Sequence, residues 1–180
     1  MSEARHPEVM WAGHYVTAMR DGRWEYVRRS RNISAVAILA ETDSGEVILV
    51  EQYRVPLGRR CLELPAGLVG DAEEPDTPLL AAARELAEET GYRAAHIADL
   101  GSYYASPGMV SEGFTLVRAT GLERIGEGGG VGAEEIVVHH VPRREVAGFV
   151  EQARASGIGI DVKLLLLLAG ELLAEASKPL

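Results

Sequence analysis

A chain of 180 residues with 47% hydrophobic side chains has the length of one domain and enough apolar content for an ordinary core. A formal net charge of −9 argues against a nucleic-acid groove, and it means that an anionic substrate would need metal cations or local arginines to hold it. The single cysteine, Cys61, excludes an intrachain disulfide and a cysteine metal cluster. The longest apolar run, 164–170, is too short to cross a bilayer and no export pattern opens the chain, so a soluble, cytoplasmic protein is expected.

After a polar start, HYVTAMRDGRWEYVRRS reads as two strands around Asp21-Gly22, a hairpin signal. SAVAILAET and EVILVEQYRV follow as a second strand pair turning at Asp43-Ser44-Gly45, and their nearly continuous apolar character predicts burial on both faces. CLELPAGLVG is a short strand broken at Pro65, with Cys61 expected as a buried thiol. An acidic loop, DAEEPDT, leads to Thr77-Pro78, a cap residue with proline at the first helical position, and Gly91 stands where that helix should stop. Further strands are predicted at IADLGSYYA, FTLVRAT and EIVVHHV, separated by SPGMVSEG and by the glycine-rich ERIGEGGGVGAE. Helices over 143–155 and 161–176 close the chain.

The helix between Thr77 and Gly91 carries RELAEETGY. At 100° per residue Glu85, Glu88 and Glu89 project from one side, while Leu79, Ala82, Ala83 and Leu86 can face the sheet. Only Arg84 opposes this charge, so the cluster repels itself unless divalent cations neutralise it. Carboxylate oxygens favour Mg²⁺ or Mn²⁺, which bridge phosphate oxygens. A solvated acidic face is the plain alternative.

Gly67 to Tyr92 resembles the signature of the Nudix hydrolases: a glycine, an acidic loop with Glu73 or Glu74, then RELAEETGY, which matches that family's second half at every specified position. Counted from Gly67 and Glu73, the loop is three residues longer than the family's; counted from Gly70, Asp76 stands at the usual spacing in place of glutamate. The insertion is the preferred register, because LELPAG also resembles the subgroup that cleaves ADP-ribose and nucleotide sugars. The resemblance implies a mixed α/β (α+β) Nudix fold, a mixed β-sheet between helices. It also implies an N-terminal antiparallel β extension over 1–33 that shapes the base pocket and mediates a homodimer, ahead of a hydrolase domain over 34–180. It further implies that the Ala66 carbonyl with Glu85, Glu88 and Glu89 holds two or three Mg²⁺ ions, Mn²⁺ substituting, and that Arg84 orients the glutamates.

The same resemblance implies hydrolysis of a diphosphate bond, with ADP-ribose giving AMP and ribose 5-phosphate as the first expectation. GDP-mannose or another nucleotide sugar, a damaged nucleoside triphosphate, or a non-catalytic ADP-ribose-binding regulator are the alternatives. Pro107, fifteen residues past Tyr92 in Ser106-Pro107-Gly108, is similar to the marker of ADP-ribose pyrophosphatases, and Glu112 follows it; a simple turn would also explain SPG. Arg54, with Arg59 and Arg60 nearby, is placed to contact phosphate, as are Arg28 and Arg29. Trp24 offers a ring for a purine, or ordinary packing. The general base is expected from the glycine-rich loop, whose glycines allow closure over substrate: Glu134 first, Glu135 second, with Glu127 deeper in the loop and Glu88 as the fallback. His139 and His140 are expected to alternate along a strand rather than bind metal. No nucleic-acid or membrane partner is expected.

Overall fold

The computed structural model describes the backbone of residues 7–31, 33–70, 76–132 and 134–176, with side chains up to 170. Three antiparallel strands open it: β1 (Glu8–Ala12), β2 (Val16–Asp21) and β3 (Trp24–Arg29), joined in the order β1-β2-β3. The β2–β3 turn lies at Asp21-Gly22 as expected, with Gly22 at φ 60°, where a side chain would be strained. β1 was not anticipated from the polar start. All five of its residues are exposed, so it carries no inward and outward alternation to read.

Next come β4 (Ser34–Ala40) and β5 (Glu46–Arg54), then β6 (Arg59–Glu63) and β7 (Ala66–Val69), divided at Leu64 and Pro65. β4 and β5 follow one another through the expected turn, but they are not a ladder pair. A single bridge, Glu41 to Val47, joins them before they part into different sheets. α1 (Pro78–Thr90) starts as expected, with Thr77 Oγ1 accepting from the Leu80 N–H and Pro78 at its first position, and it ends at Gly91 with φ 74°. Two long strands follow, β8 (Tyr92–Tyr104) and β9 (Gly113–Arg124), then β10 (Val137–Pro142), α2 (Val146–Ala155), the two-residue β11 (Gly159–Ile160) and α3 (Leu165–Ala176). One four-stranded sheet runs β7-β4-β9-β8, with β4 and β9 parallel; the other runs β10-β5-β6-β11, with β6 and β11 parallel.

The near-continuous apolar runs of β4 and β5 now have their explanation. Side chains of a strand alternate between faces, and each face feeds a different core. Val36, Ile38, Ala40 and Ile48 pack with Ala81, Ala82 and Leu86 of α1, whereas Ala37, Val47 and Leu49 pack with Val146, Val150 and Ala153 of α2 and with Leu164 and Leu168. The sheets are therefore sandwiched between α1 on one side and the two C-terminal helices on the other. Leu86 is fully buried, and its truncation to alanine would cost about 2–5 kcal/mol. The inward face of α1 differs from the sequence expectation: Ala81, Ala82, Leu86, Glu89 and Thr90 are buried, while Leu79 and Ala83 are exposed. Among the described residues no helix is long and apolar enough to cross a membrane.

Candidate active site

α1 runs along the edge of a cleft of about 870 Å³. Ala66, Gly67, Arg84, Glu85, Glu88 and Glu89 line it from β7 and α1, and Arg54 and Glu63 come from β5 and β6. Glu134 enters from the glycine-rich loop, Arg29 and Glu112 from the end of the N-terminal sheet and its neighbour, and Asp161 and Lys163 from the approach to α3.

Arg84 is held by several partners at once. It donates through Nη1 to Asp76 Oδ2 (3.2 Å), and through Nη2 to the Leu68 carbonyl (2.9 Å) and Glu85 Oε1 (3.1 Å). Asp76 also accepts from the Gly70 N–H at 3.2 Å. Asp76, the residue of the alternative register, is thus one of the acidic groups that meet Arg84, with Glu85. Glu73 and Glu74, favoured by the other register, lie outside the described residues. At Gly67 a β-carbon would overlap the Glu85 carboxylate, so glycine lets that side chain lie against β7.

Glu89 stands apart from its neighbours. It is only 5% exposed, and its Oε2 accepts from the Ala66 N–H at 3.0 Å. Burial pushes its carboxyl up to about 8; the Ala66 N–H and Arg54 pull the other way, and the charges of Glu85 and Glu134 add to the rise. The sequence pattern suggested an exposed cluster, yet this member is desolvated, which disfavours its charged form. Hard oxygen donors in such a setting fit Mg²⁺ or Mn²⁺. As they stand, no three acidic or imidazole groups among the described residues are gathered tightly enough to hold an ion; Glu85 is turned to Arg84 and Glu89 to the Ala66 amide.

Across the cleft Arg54 grips Glu63 in a two-point pair, Nε to Oε1 at 2.6 Å and Nη2 to Oε2 at 2.8 Å. That pair raises the basicity of Arg54 further. Glu63 is buried and was not singled out in the sequence. Arg29, not Arg28, lines the cleft and pairs with Glu112 at 2.5 Å. Alternation along β3 decides between them, since Arg28 points outward and is exposed.

Several predicted residues are not among those lining the cleft. Trp24 sits 55% exposed at the hairpin, with Arg23 over its ring. Ser106, Pro107 and Gly108 form a turn in which the Met109 and Val110 amides donate to Ser106 O. The strand edge of Val27 bonds to both Met109 and Ser111, so this turn ties β3 to the main body and seats Glu112 beside Arg29. Glu135 is exposed and only its carbonyl is engaged, by Arg60. Arg60 also donates to Glu51, whose carboxylate in turn meets His139. His140 contacts Tyr92. Arg59 and Glu127 are exposed and outside the cleft. Asp161 and Lys163, 2.9 Å apart, went unnoticed; a D-x-K at the head of the last helix was their only signal.

A carboxylate helix set at a cleft between two helix-covered sheets defines the class of this molecule. Residues 31–152 match the NUDIX domain, and the chain belongs to that family. An ADP-ribose pyrophosphatase of Bacillus subtilis (strain 168) is 47% identical over 78 residues, which is 43% of this chain and 40% of the relative. A GDP-mannose pyrophosphatase of Cronobacter sakazakii (strain ATCC BAA-894) is 34% identical over 168 residues, 86% of this chain and 82% of the relative. A solved structure of an ADP compounds hydrolase shares the fold, with a TM-score of 0.69 at 23% identity over 94% of this chain and 93% of its own. The chain spans about half the length of several curated relatives that it matches.

Proposed function

We propose that this protein hydrolyses the diphosphate bond of a nucleoside diphosphate sugar, ADP-ribose first, giving AMP and ribose 5-phosphate. The observation that carries this reading is the meeting of Glu85, Glu88, Glu89 and Glu134 in one cleft with Arg54 and Lys163. The activities printed for the two relatives above support the substrate class, with GDP-mannose as the near alternative.

The Ala66 carbonyl and Glu85, Glu88 and Glu89 would hold two or three Mg²⁺ ions, or Mn²⁺. When bound, such ions polarise the phosphorus centre, lower the pKa of water and stabilise the leaving phosphate. Arg84, fixed by Asp76 and Leu68, orients Glu85. Glu134 takes the proton of the attacking water; Glu135 is the weaker candidate because its side chain is outside the cleft. Arg54, held by Glu63, contacts the diphosphate, and the Arg29–Glu112 pair stands at the cleft wall toward the N-terminal sheet.

The N-terminal sheet supplies the homodimer contact, because Val9, Met10, Trp11, Val16 and Trp24 are exposed on it. In that arrangement Trp24, Arg28 and the SPG turn serve the base pocket from outside the cleft described above. Release of AMP or GMP, measured over a panel of ADP-ribose, GDP-mannose, NADH and nucleoside triphosphates with and without Mg²⁺, tests the reading. Turnover of the triphosphates alone, or none without and with metal, would sink it.

A further inference from the structure

The glycine-rich segment before Glu134 reads from sequence as a loop free to close. The structure places it otherwise. An α-helix leaves its last four carbonyls without partners inside the helix. At the end of α1 the Ala87 carbonyl is taken by the Gly91 N–H at 3.0 Å. The next two are taken by the distant loop: Gly130 N–H donates to Glu88 O at 3.0 Å and Gly129 N–H to Glu89 O at 2.9 Å. Ile125 and Gly126 then both donate to Gly91 O, at 2.8 and 3.0 Å.

This contact is backbone on backbone, and it requires glycine on both sides. A β-carbon at Gly128 would stand 2.5 Å from the Thr90 carbonyl carbon and 2.6 Å from Glu89 O; one at Gly91 would strike Gly126 O. Beyond the contact, Ile136 N–H returns to Gly129 O at 3.2 Å and its side chain is buried. Glu134 Oε2 accepts from the Val131 N–H at 3.0 Å, and a β-carbon at Gly130 would lie 2.6 Å from that same carboxylate oxygen.

We propose that Gly128, Gly129 and Gly130 are positioning residues: the Gly129 and Gly130 amides cap the C-terminus of α1 from across the fold, Gly128 lets the backbone come that close, and together they set the Glu134 carboxylate beside the glutamate cluster. The same two residues, Glu88 and Glu89, then present side chains to the cleft and carbonyls to the segment that carries the base. At these three positions the glycines serve close approach to α1. The inference rests on Glu134 acting as proposed above.

Amide exchange in the full-length protein without substrate tests the docking and needs no turnover. Gly129 and Gly130 should exchange at least ~100-fold more slowly than unprotected amides; exchange at the unprotected rate would overturn the inference. Gly128→Ala should lower kcat by about 10- to 100-fold with KM within about threefold, since the carboxylate is displaced while the binding groups stay. Gly132→Ala is the control. Its φ of 67° is strained in the same way, yet a β-carbon there meets nothing within 4 Å, so it should stay within about threefold of wild type. Equal losses in the two variants, or a loss confined to KM, would refute positioning. Should Gly128→Ala not fold, Gly130→Ala presses on Glu134 directly and carries the same expectation. A wild-type protein inactive on the whole panel would remove the proposed function and, with it, the positioning role, while the exchange result would still decide the docking.

Discussion

The cleft around α1 and the three-stranded N-terminal sheet are built on opposite terms. At the cleft, polar groups are held by defined partners: Arg84 by Asp76, Leu68 and Glu85, Arg54 by both oxygens of Glu63, and Glu89 by a backbone amide in a desolvated position. On the N-terminal sheet, large apolar side chains such as Trp11 and Trp24 are more than half exposed. The difference teaches where chemistry and recognition can reside. A group must be fixed before it can act on a developing charge, and the cleft borrows that rigidity from two cores; the sheet has apolar area left to cover and little core of its own.

Substitutions in the cleft should therefore damage turnover, and those on the sheet should damage assembly. The largest effect is expected at Glu134. Glu134→Gln should lower kcat by roughly 10²- to 10⁴-fold with little change in KM, and Glu135→Gln should do far less. Near wild-type kcat in both would move water activation to a helix glutamate such as Glu88.

Glu89→Gln should leave less than about a tenth of the activity and abolish the rise in Tm that Mg²⁺ gives the wild type. Its burial adds a sign that an exposed ligand would lack. In the folded metal-free protein its carboxyl lies near 8 against an ordinary 4.5. Below 4.5 it is protonated in both states, and as pH rises from there through 8 the unfolded chain gives up a proton that the folded one keeps, so stability falls. Between about pH 4.5 and about pH 8 the metal-free wild type should lose Tm relative to Glu89→Gln, and above that the difference should level off. Parallel melting curves for the two proteins would show that Glu89 is not desolvated.

Arg54→Ala should raise KM and also destabilise by about 1–3 kcal/mol in urea unfolding, because it leaves the buried Glu63 carboxylate without its partner. A change in KM with no change in stability would mean that the pair adds nothing to the fold. Trp11→Ser should shift the protein from dimer toward monomer in light scattering while kcat stays within about twofold; an unaltered mass would take the dimer contact off this sheet. The smallest effect is at Cys61, whose thiol burial raises to about 11. Alkylation at about pH 8 should be slow in the folded protein and quick in urea; equal rates would mean an open thiol.

Much of α1 was legible because its signals are local. Thr77, Pro78 and Gly91 mark the ends through backbone rules that need no tertiary context, and RELAEETGY places its charges by helical period alone. What the sequence hid was set by partners far along the chain. β4 and β5 look like a hairpin because both are apolar, but their pairing was decided by β9 and β7 on one side and by β10 and β6 on the other. Glu89 belongs to an acidic run, and its burial depends on the packing of α1 against the sheet. Asp76 was set behind Glu73 on the strength of LELPAG, and its contact with Arg84 depends on a loop whose course no local signal gives. The glycines of 126–130 suggested mobility, because glycine permits both freedom and close approach and only the carbonyls of α1 tell which is used.

The alternate sorting of β4 and β5 into two cores has a consequence for how this chain can vary. A one-residue insertion or deletion inside 36–40 would swap every following side chain to the opposite layer, sending Ile38 and Ala40 toward α2 and Leu39 toward α1. No single compensating substitution could restore either layer. The turn at Asp43-Ser44-Gly45, exposed at its first two positions and free of any contact that a β-carbon at Gly45 would meet, has no such constraint. Length variation among descendants of this sequence should therefore collect at that turn and be absent from the strands it joins, a pattern that a library of random single-codon insertions screened for soluble expression would display directly.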